Sequence, residues 1–301
     1  MRGKIITVPV RRETANGRPQ VHDSPPDLSR STHQTCPSDV SLDASNDTLL
    51  DFVAVEEPLQ ILLNGTNLAI TMRTPGDDHA LAAGFLFTEG IIDRTDQIAG
   101  IEEDGKGTVS VQLAPGVDWA AESTARNSYM TSSCGVCGKA SIDSLRATGC
   151  SSLPPDRPTI DAQVLTGLPN KLRAAQSVFE HTGGLHAAGL FDATGTLLDL
   201  REDVGRHNAV DKLIGGALRE GRVPLDAHIL MLSGRVSFEL VQKALRARIP
   251  IIAAIGAPSS LATETALRFG ITLTGFVRDG RFNLYCGHGR IVQANKRARH
   301  D

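Results

Sequence analysis

Apolar and polar positions divide the chain into an aperiodic leader, a mixed first half and a more regular second half. Residues 1–48 are rich in Pro, Ser, Thr, Asn and Asp, and the expectation is a disordered leader. From Leu49 the apolar positions become periodic. Residues 52–63 and 68–74 read as strands, with Asn64-Gly65 a strong hairpin turn between them. Asp77 is placed to cap a helix reaching Thr88, in which Leu81, Phe85 and Thr88 share a face and which Gly90 ends. Residues 98–103 and 108–113 read as a second β pair.

The second half alternates strands with helices. Residues 161–176 and 207–219 predict helices, the latter through Val210, Leu213, Ile214, Ala217 and Leu218. Strands are expected at 185–191 and 196–200, at 228–232, at 271–277 and at 281–285. The unbroken apolar run 250–255 predicts a strand buried on both faces. Phe238, Val241, Ala244 and Leu245 line one helix, and Ser259 or Ser260 caps another that reaches Arg268. The expected fold class is α/β: a layered sheet-and-helix domain over 151–290, a smaller N-terminal α+β portion over 49–150, and a basic tail, 291–301, that frays.

Composition excludes more than it assigns. A formal charge of −3 and 4% aromatic residues give no basis for a nucleic-acid surface. No window approaches the ~20 apolar residues of a membrane span. The five cysteines lack the spacing of a secreted disulfide framework, so a cytoplasmic protein with neither nucleic-acid nor membrane partners is expected.

Candidate chemistry concentrates in two places. Residues 131–138 read TSSCGVCG, with Cys134 and Cys137 among glycines and small hydroxyl residues. Such a pair can ligate metal, cycle through a disulfide or carry sulfur as a persulfide. Structural zinc needs two further ligands, but there is no second Cys-x-x-Cys and no His near Cys150. A zinc deaminase needs Pro before the pair and an upstream His-x-Glu; Ser133 holds the first place, and none of the nine histidines has Glu two positions on. No metal is therefore expected. Gly138-Lys139 fails as a P-loop, because Ser133 stands where the first glycine belongs. Residues 126–130 are not the apolar strand that would precede a thioredoxin-like pair, yet redox cycling stays open.

The second place is a set of strand–helix junctions: EDVGRHN at 202–208, SGRVS at 233–237 and APSS at 257–260. Each alone is explained by a capped helix and a solvated arginine. Three in one α/β domain point to an anionic ligand that contains a nucleotide, because open sheets bind ligands beyond the carboxyl ends of their strands and helix N-termini attract phosphate.

These stretches come together with Glu56-Glu57-Pro58-Leu59, Met72-Arg73-Thr74-Pro75-Gly76, GFLFTEG at 84–90, Gly183-Gly184-Leu185-His186, and GFVR and GRFN at 275–278 and 280–283. In that order, over about residues 50–290, the chain resembles the FdhD family of sulfur carriers required for active formate dehydrogenase. The resemblance implies a homodimer whose larger domain is similar to the cytidine-deaminase fold without its zinc. It also implies a sulfurtransferase that takes sulfur from a cysteine desulfurase and passes it to a molybdenum bis-guanine-dinucleotide cofactor, Mo-bis(molybdopterin guanine dinucleotide), destined for the formate dehydrogenase apo-enzyme. Cys134 is then the main persulfide carrier, and Cys137 its neighbour. Arg206, His207, Ser233, Arg235, Ser259, Phe276, Val277, Arg278, Asp279, Gly280 and Arg281 would hold the guanine-nucleotide ends, where a GDP-like molecule can also sit. Two other readings remain: a non-catalytic molybdenum cofactor chaperone, and a dithiol oxidoreductase.

Overall fold

The computed structural model describes residues 3–11, 48–117, 119, 145 and 150–293. It begins with an antiparallel ribbon, β1 (Ile5–Arg11) against β2 (Thr48–Ala54). This corrects the expected disordered leader at its start. Ile5, Ile6, Val8 and Val10 form a short β-branched run that the polar composition of the whole leader masks. The strand expected over 52–63 breaks into β2 and β3 (Glu57–Leu63), and β3 turns through Asn64-Gly65 into β4 (Thr66–Arg73). Both turn residues have positive φ, 49° and 79°, as a tight hairpin demands.

Helix α1 (Asp78–Thr88) follows, but Asp77 does not cap it as expected. Asp77 sits at φ 60°, and its carboxylate faces Arg201 at 2.9 Å and Lys4 at 3.5 Å instead. β5 (Ile98–Glu103) and β6 (Thr108–Leu113) fall where alternation placed them. They complete a four-stranded sheet in the order β4-β3-β6-β5, with β3 and β6 parallel.

After β7 (Ile160–Asp161), helix α2 (Ala162–Ala175) is capped by the Asp161 carboxylate, which accepts from the Gln163 amide at 2.7 Å. The short α3 (Ser177–Thr182) was not expected. Then come β8 (His186–Phe191), β9 (Leu197–Asp203), α4 (Arg206–Arg219), β10 (Ile229–Leu232), α5 (Phe238–Arg246), β11 (Ile251–Ala254), α6 (Ser260–Phe269), β12 (Thr272–Arg278) and β13 (Arg281–Cys286). The six strands form one mixed sheet ordered β13-β12-β11-β10-β8-β9, parallel through β10, β11 and β12. β14 (Ile291–Val292) pairs with β7, which corrects the expected fraying at the first two residues of the tail. Arg290 anchors this end: fully buried, it donates to the carbonyls of Arg157 at 2.8 Å, Gly270 at 2.7 Å and Pro154.

Strand alternation divides the interior into two apolar layers. Leu230, Leu232, Ile252 and Ala254 enter a core shared with α1, α4, α5, α6 and the four-stranded sheet. Ile229, Met231, Ile251 and Ala253 face the other way, onto Leu165, Leu168 and Leu172 of α2. The larger core runs from Leu59 to Cys286, so the N-terminal portion and the α/β domain bury apolar surface together. Two ionic contacts reinforce that seam. Lys212, wholly buried, lies 2.7 Å from Asp203, which also accepts from the Thr74 amide at 3.1 Å. Lys243 sits 2.8 Å from Asp211 and 3.0 Å from the Thr88 hydroxyl. Flanked by Asp211 and Glu89, Lys243 keeps its proton beyond the usual lysine range despite burial. Among the described residues no helix is long and apolar enough to cross a membrane.

Candidate functional site

The candidate ligand residues lie along the carboxyl edge of the parallel strands. Asp203, at the end of β9, shapes the first junction. Its Oδ1 accepts from the Gly205 amide at 2.8 Å and from Asn208 Nδ2 at 3.2 Å, which fixes the turn that presents Arg206 and His207. No side chain caps α4. Arg206 is half-buried, and its Nε is buried without a hydrogen-bond partner. An orphaned guanidinium donor beside an uncapped helix N-terminus is an arrangement that an anionic group completes.

His207 joins this junction to the next, its Nε2 3.1 Å from Ser237 Oγ and 3.9 Å from the Glu239 carboxylate. Burial acts to raise the Glu239 carboxyl, but the Ser237 hydroxyl, its own backbone and the nearby His207 and Arg206 together hold it below the usual range. Ser233 Oγ accepts from the Ala187 amide at 2.8 Å, leaving its O–H free to donate. Arg235 is exposed. The chain behind it is packed closely: a Cβ on Gly256 would lie 2.8 Å from the Arg235 backbone, and the Gly256 amide donates to the Gly234 carbonyl at 3.1 Å.

The third junction hydrogen-bonds to the second, Val236 N–H to the Ala257 carbonyl at 3.1 Å and Ser259 N–H to the Val236 carbonyl at 2.9 Å. The Ser259 hydroxyl accepts from the Ala262 amide at 3.2 Å, so its side chain caps α6. Phe276 closes the row: its N–H donates to the Gly256 carbonyl at 3.3 Å, its φ is 53°, and the residue is 39% exposed. The structure thus brings Arg206, His207, Ser233, Arg235, Ser259 and Phe276 into one continuous row. It separates the rest of the predicted segment. The Val277 side chain is fully buried with Ile251 and Ala253, so only its backbone can face a ligand. Arg278, Asp279, Gly280 and Arg281 form an exposed hairpin tip, joined to the row through Phe276.

Beside the row is a cavity of about 530 Å³, lined among others by Arg173, Gln176, Phe179, His186, Ser233 and Ile255. Glu202 holds its α3 wall in place, its carboxylate accepting from the Val178 amide at 3.1 Å and the Phe179 amide at 2.9 Å. Burial and then the Arg206 charge lower the pKa of His186, so its ring is neutral at physiological pH. Apart from Ser233, the cavity residues named here are absent from the predicted site. Gly183-Gly184-Leu185-His186 before a strand was a signal for His186, whereas nothing local marks Arg173, Gln176 or Phe179.

Cys134 and Cys137 lie outside the described residues. Of the other thiols, Cys286 is buried, donates to the Ile271 carbonyl at 3.2 Å, and is made a weaker acid by burial. It is a packing residue rather than an accessible nucleophile.

The chain matches the FdhD/NarQ family over residues 54–292. It is 52% identical over 262 residues to the sulfur carrier protein FdhD of Streptomyces avermitilis, covering 83% of this chain and 92% of the relative. It is 47% identical over 252 residues to that of Mycobacterium tuberculosis, covering 80% and 91%. A crystal structure from Desulfotalea psychrophila, provisionally assigned as a formate dehydrogenase accessory protein, superimposes with a TM-score of 0.70 at 25% identity, covering 96% of this chain and all of that one. On a match that spans the described structure from the end of β2 to β14, at about half identity to near-complete relatives, the chain belongs to the FdhD/NarQ family.

Proposed function

We propose that this protein is a sulfur carrier that supports formate dehydrogenase, holding sulfur as a persulfide on Cys134. The observation that carries the reading is near-full-length identity of about half to proteins named sulfur carriers, in a chain with an intact Cys-x-x-Cys. In the loading step the Cys134 thiolate attacks the outer sulfur of a cysteine desulfurase persulfide. One S–S bond forms, the other breaks, and the desulfurase leaves as thiolate. For release, the Cys137 thiolate attacks Cys134 Sγ and expels the terminal sulfur as hydrosulfide. The pair is oxidised to a disulfide, the sulfur is reduced, and a cellular thiol returns the pair to its starting state.

The substrate that receives the sulfur is Mo-bis(molybdopterin guanine dinucleotide), held through its guanine-nucleotide ends. Support comes from the row at the carboxyl edge, where Arg206 offers an orphaned donor, the N-terminus of α4 is uncapped, and Ser233 keeps a free O–H. The chain works as a homodimer, and its six-stranded sheet covered on both faces supports the likeness to the cytidine-deaminase fold. The test is complementation of a strain lacking its own carrier. The wild-type protein should restore formate dehydrogenase activity and Cys134→Ala should not. Restoration by Cys134→Ala would leave a cofactor chaperone that handles no sulfur.

A further inference from the structure

We propose that Ser237 and Glu239 are positioning residues that hold His207 as a chargeable member of the row, so that protonation of His207 sets how tightly the row holds a phosphate. This rests on the nucleotide-holding reading above and adds a control to it.

The three side chains link the starts of two helices. His207 lies in the first turn of α4, while Ser237 and Glu239 open α5. Ser237 has the residue type and the extended backbone of a helix cap, φ −95° and ψ 171°, yet its hydroxyl makes no capping bond. It lies 3.1 Å from His207 Nε2 instead, and it also bonds the Glu239 carboxylate. The direction of these bonds follows from the protons available. An ionised carboxylate has none to give, so the Ser237 O–H donates to Glu239 and its Oγ accepts from His207 Nε2–H. The neutral imidazole therefore keeps its proton on Nε2, and charging the ring adds one from solvent at Nδ1.

The surrounding charges leave that step to two neighbours. The Glu239 carboxylate, 3.9 Å from Nε2, favours the imidazolium, and both side chains are partly shielded from water, at 17% exposure for His207 and 35% for Glu239. Arg206, the preceding residue, opposes it. Charged groups on the elements around α4 are turned to partners of their own: Asp203 to Lys212, Asp211 and Glu89 to Lys243, Asp78 to Arg73, and Glu202 to the α3 amides. His186 on β8 is neutral. A phosphate docked beside Arg206 offsets the arginine charge and favours the same imidazolium, so binding and protonation reinforce each other.

The test is calorimetric titration of the full chain with GDP from about pH 5.5 to about pH 8, for wild type, Glu239→Gln, Ser237→Ala and His207→Gln. His207→Gln sets the baseline, because it retains the pH dependence of the GDP phosphate itself. Wild type should bind about fivefold more tightly than this baseline at the acid end, and the advantage should vanish at the alkaline end. Glu239→Gln keeps an acceptor for Ser237 but loses the charge, so it should lose the advantage at lower pH than wild type. Ser237→Ala should shift the profile the same way by less. A Glu239→Gln profile that superimposes on wild type, or a weakening equal at every pH, as a purely structural role would give, overturns the proposal. A wild-type protein that binds no GDP at any pH overturns the nucleotide-holding reading beneath it.

Discussion

Gly84 of α1 and Gly215 of α4 face each other at a helix crossing with no space for a side chain. A Cβ on Gly84 would lie 1.9 Å from the Asp211 carbonyl oxygen, and one on Gly215 would lie 1.9 Å from the Ala80 carbonyl oxygen. The crossing seats the N-terminal portion on the α/β domain and delivers Thr74 to Asp203, which in turn shapes the turn before Arg206. Packing here therefore supports the candidate site from below.

Gly84→Ala or Gly215→Ala should destabilise the protein by about 3 kcal/mol, because the methyl meets backbone that cannot rotate away. Gly167→Ala is the control. It lies within α2, and a Cβ there meets nothing within 4 Å, so it should stabilise by about 0.5–1 kcal/mol through helix propensity. Thermal unfolding of the three variants checks both directions. Equal effects at Gly84 and Gly167 would refute the close approach.

Asp203→Ala should cost about 3–5 kcal/mol, since it leaves the Lys212 ammonium buried without its carboxylate. Adding Lys212→Met to that variant should recover part of the loss, because the uncompensated charge is then gone. Denaturant titration of the single and double variants makes the comparison.

His186 gives the fold a pH dependence of known sign. Burial and the Arg206 charge place its folded pKa below the ordinary 6.5, so the unfolded chain binds this proton more readily. Its stabilising contribution is complete above pH 6.5 and is lost as pH falls below that value. His186→Gln should flatten the stability profile in the window just below pH 6.5, and an unchanged profile would remove His186 as the source.

Arg206→Glu should weaken GDP binding by about tenfold or more, since on the proposed reading it replaces a charge-assisted donor to the phosphate with a like charge. Arg235→Glu should weaken it less, because Arg235 is exposed and water screens it. Calorimetric titration reads both. Affinity that is unchanged in either variant removes that arginine from the role.

Where structure is local, the amino-acid pattern carries it. β5 and β6 fall at the predicted residues because alternation and flanking turns suffice, and α6 is capped at Ser259, one of the two serines the sequence offered. What depends on distant partners was not legible. β1 pairs with a strand far along the chain, and the short α3 is held by the Glu202 carboxylate from β9. Asp77 has the residue type of a cap, but Arg201 and Lys4 claim its carboxylate. The strand–helix junctions were readable from Gly, Ser and Arg at element ends, whereas Glu239 gains its interest only from where the fold sets it beside His207.

The most direct test of the sulfur-carrier account is intact-protein mass spectrometry after incubation with a cysteine desulfurase and cysteine. Wild type, Cys134→Ala and Cys137→Ala should be compared, with Cys286→Ser as a control for a buried thiol. The account predicts a reductant-labile gain of about 32 Da in wild type and in Cys286→Ser that is lost in Cys134→Ala. No gain in any variant, with the desulfurase shown to load another acceptor, would contradict it.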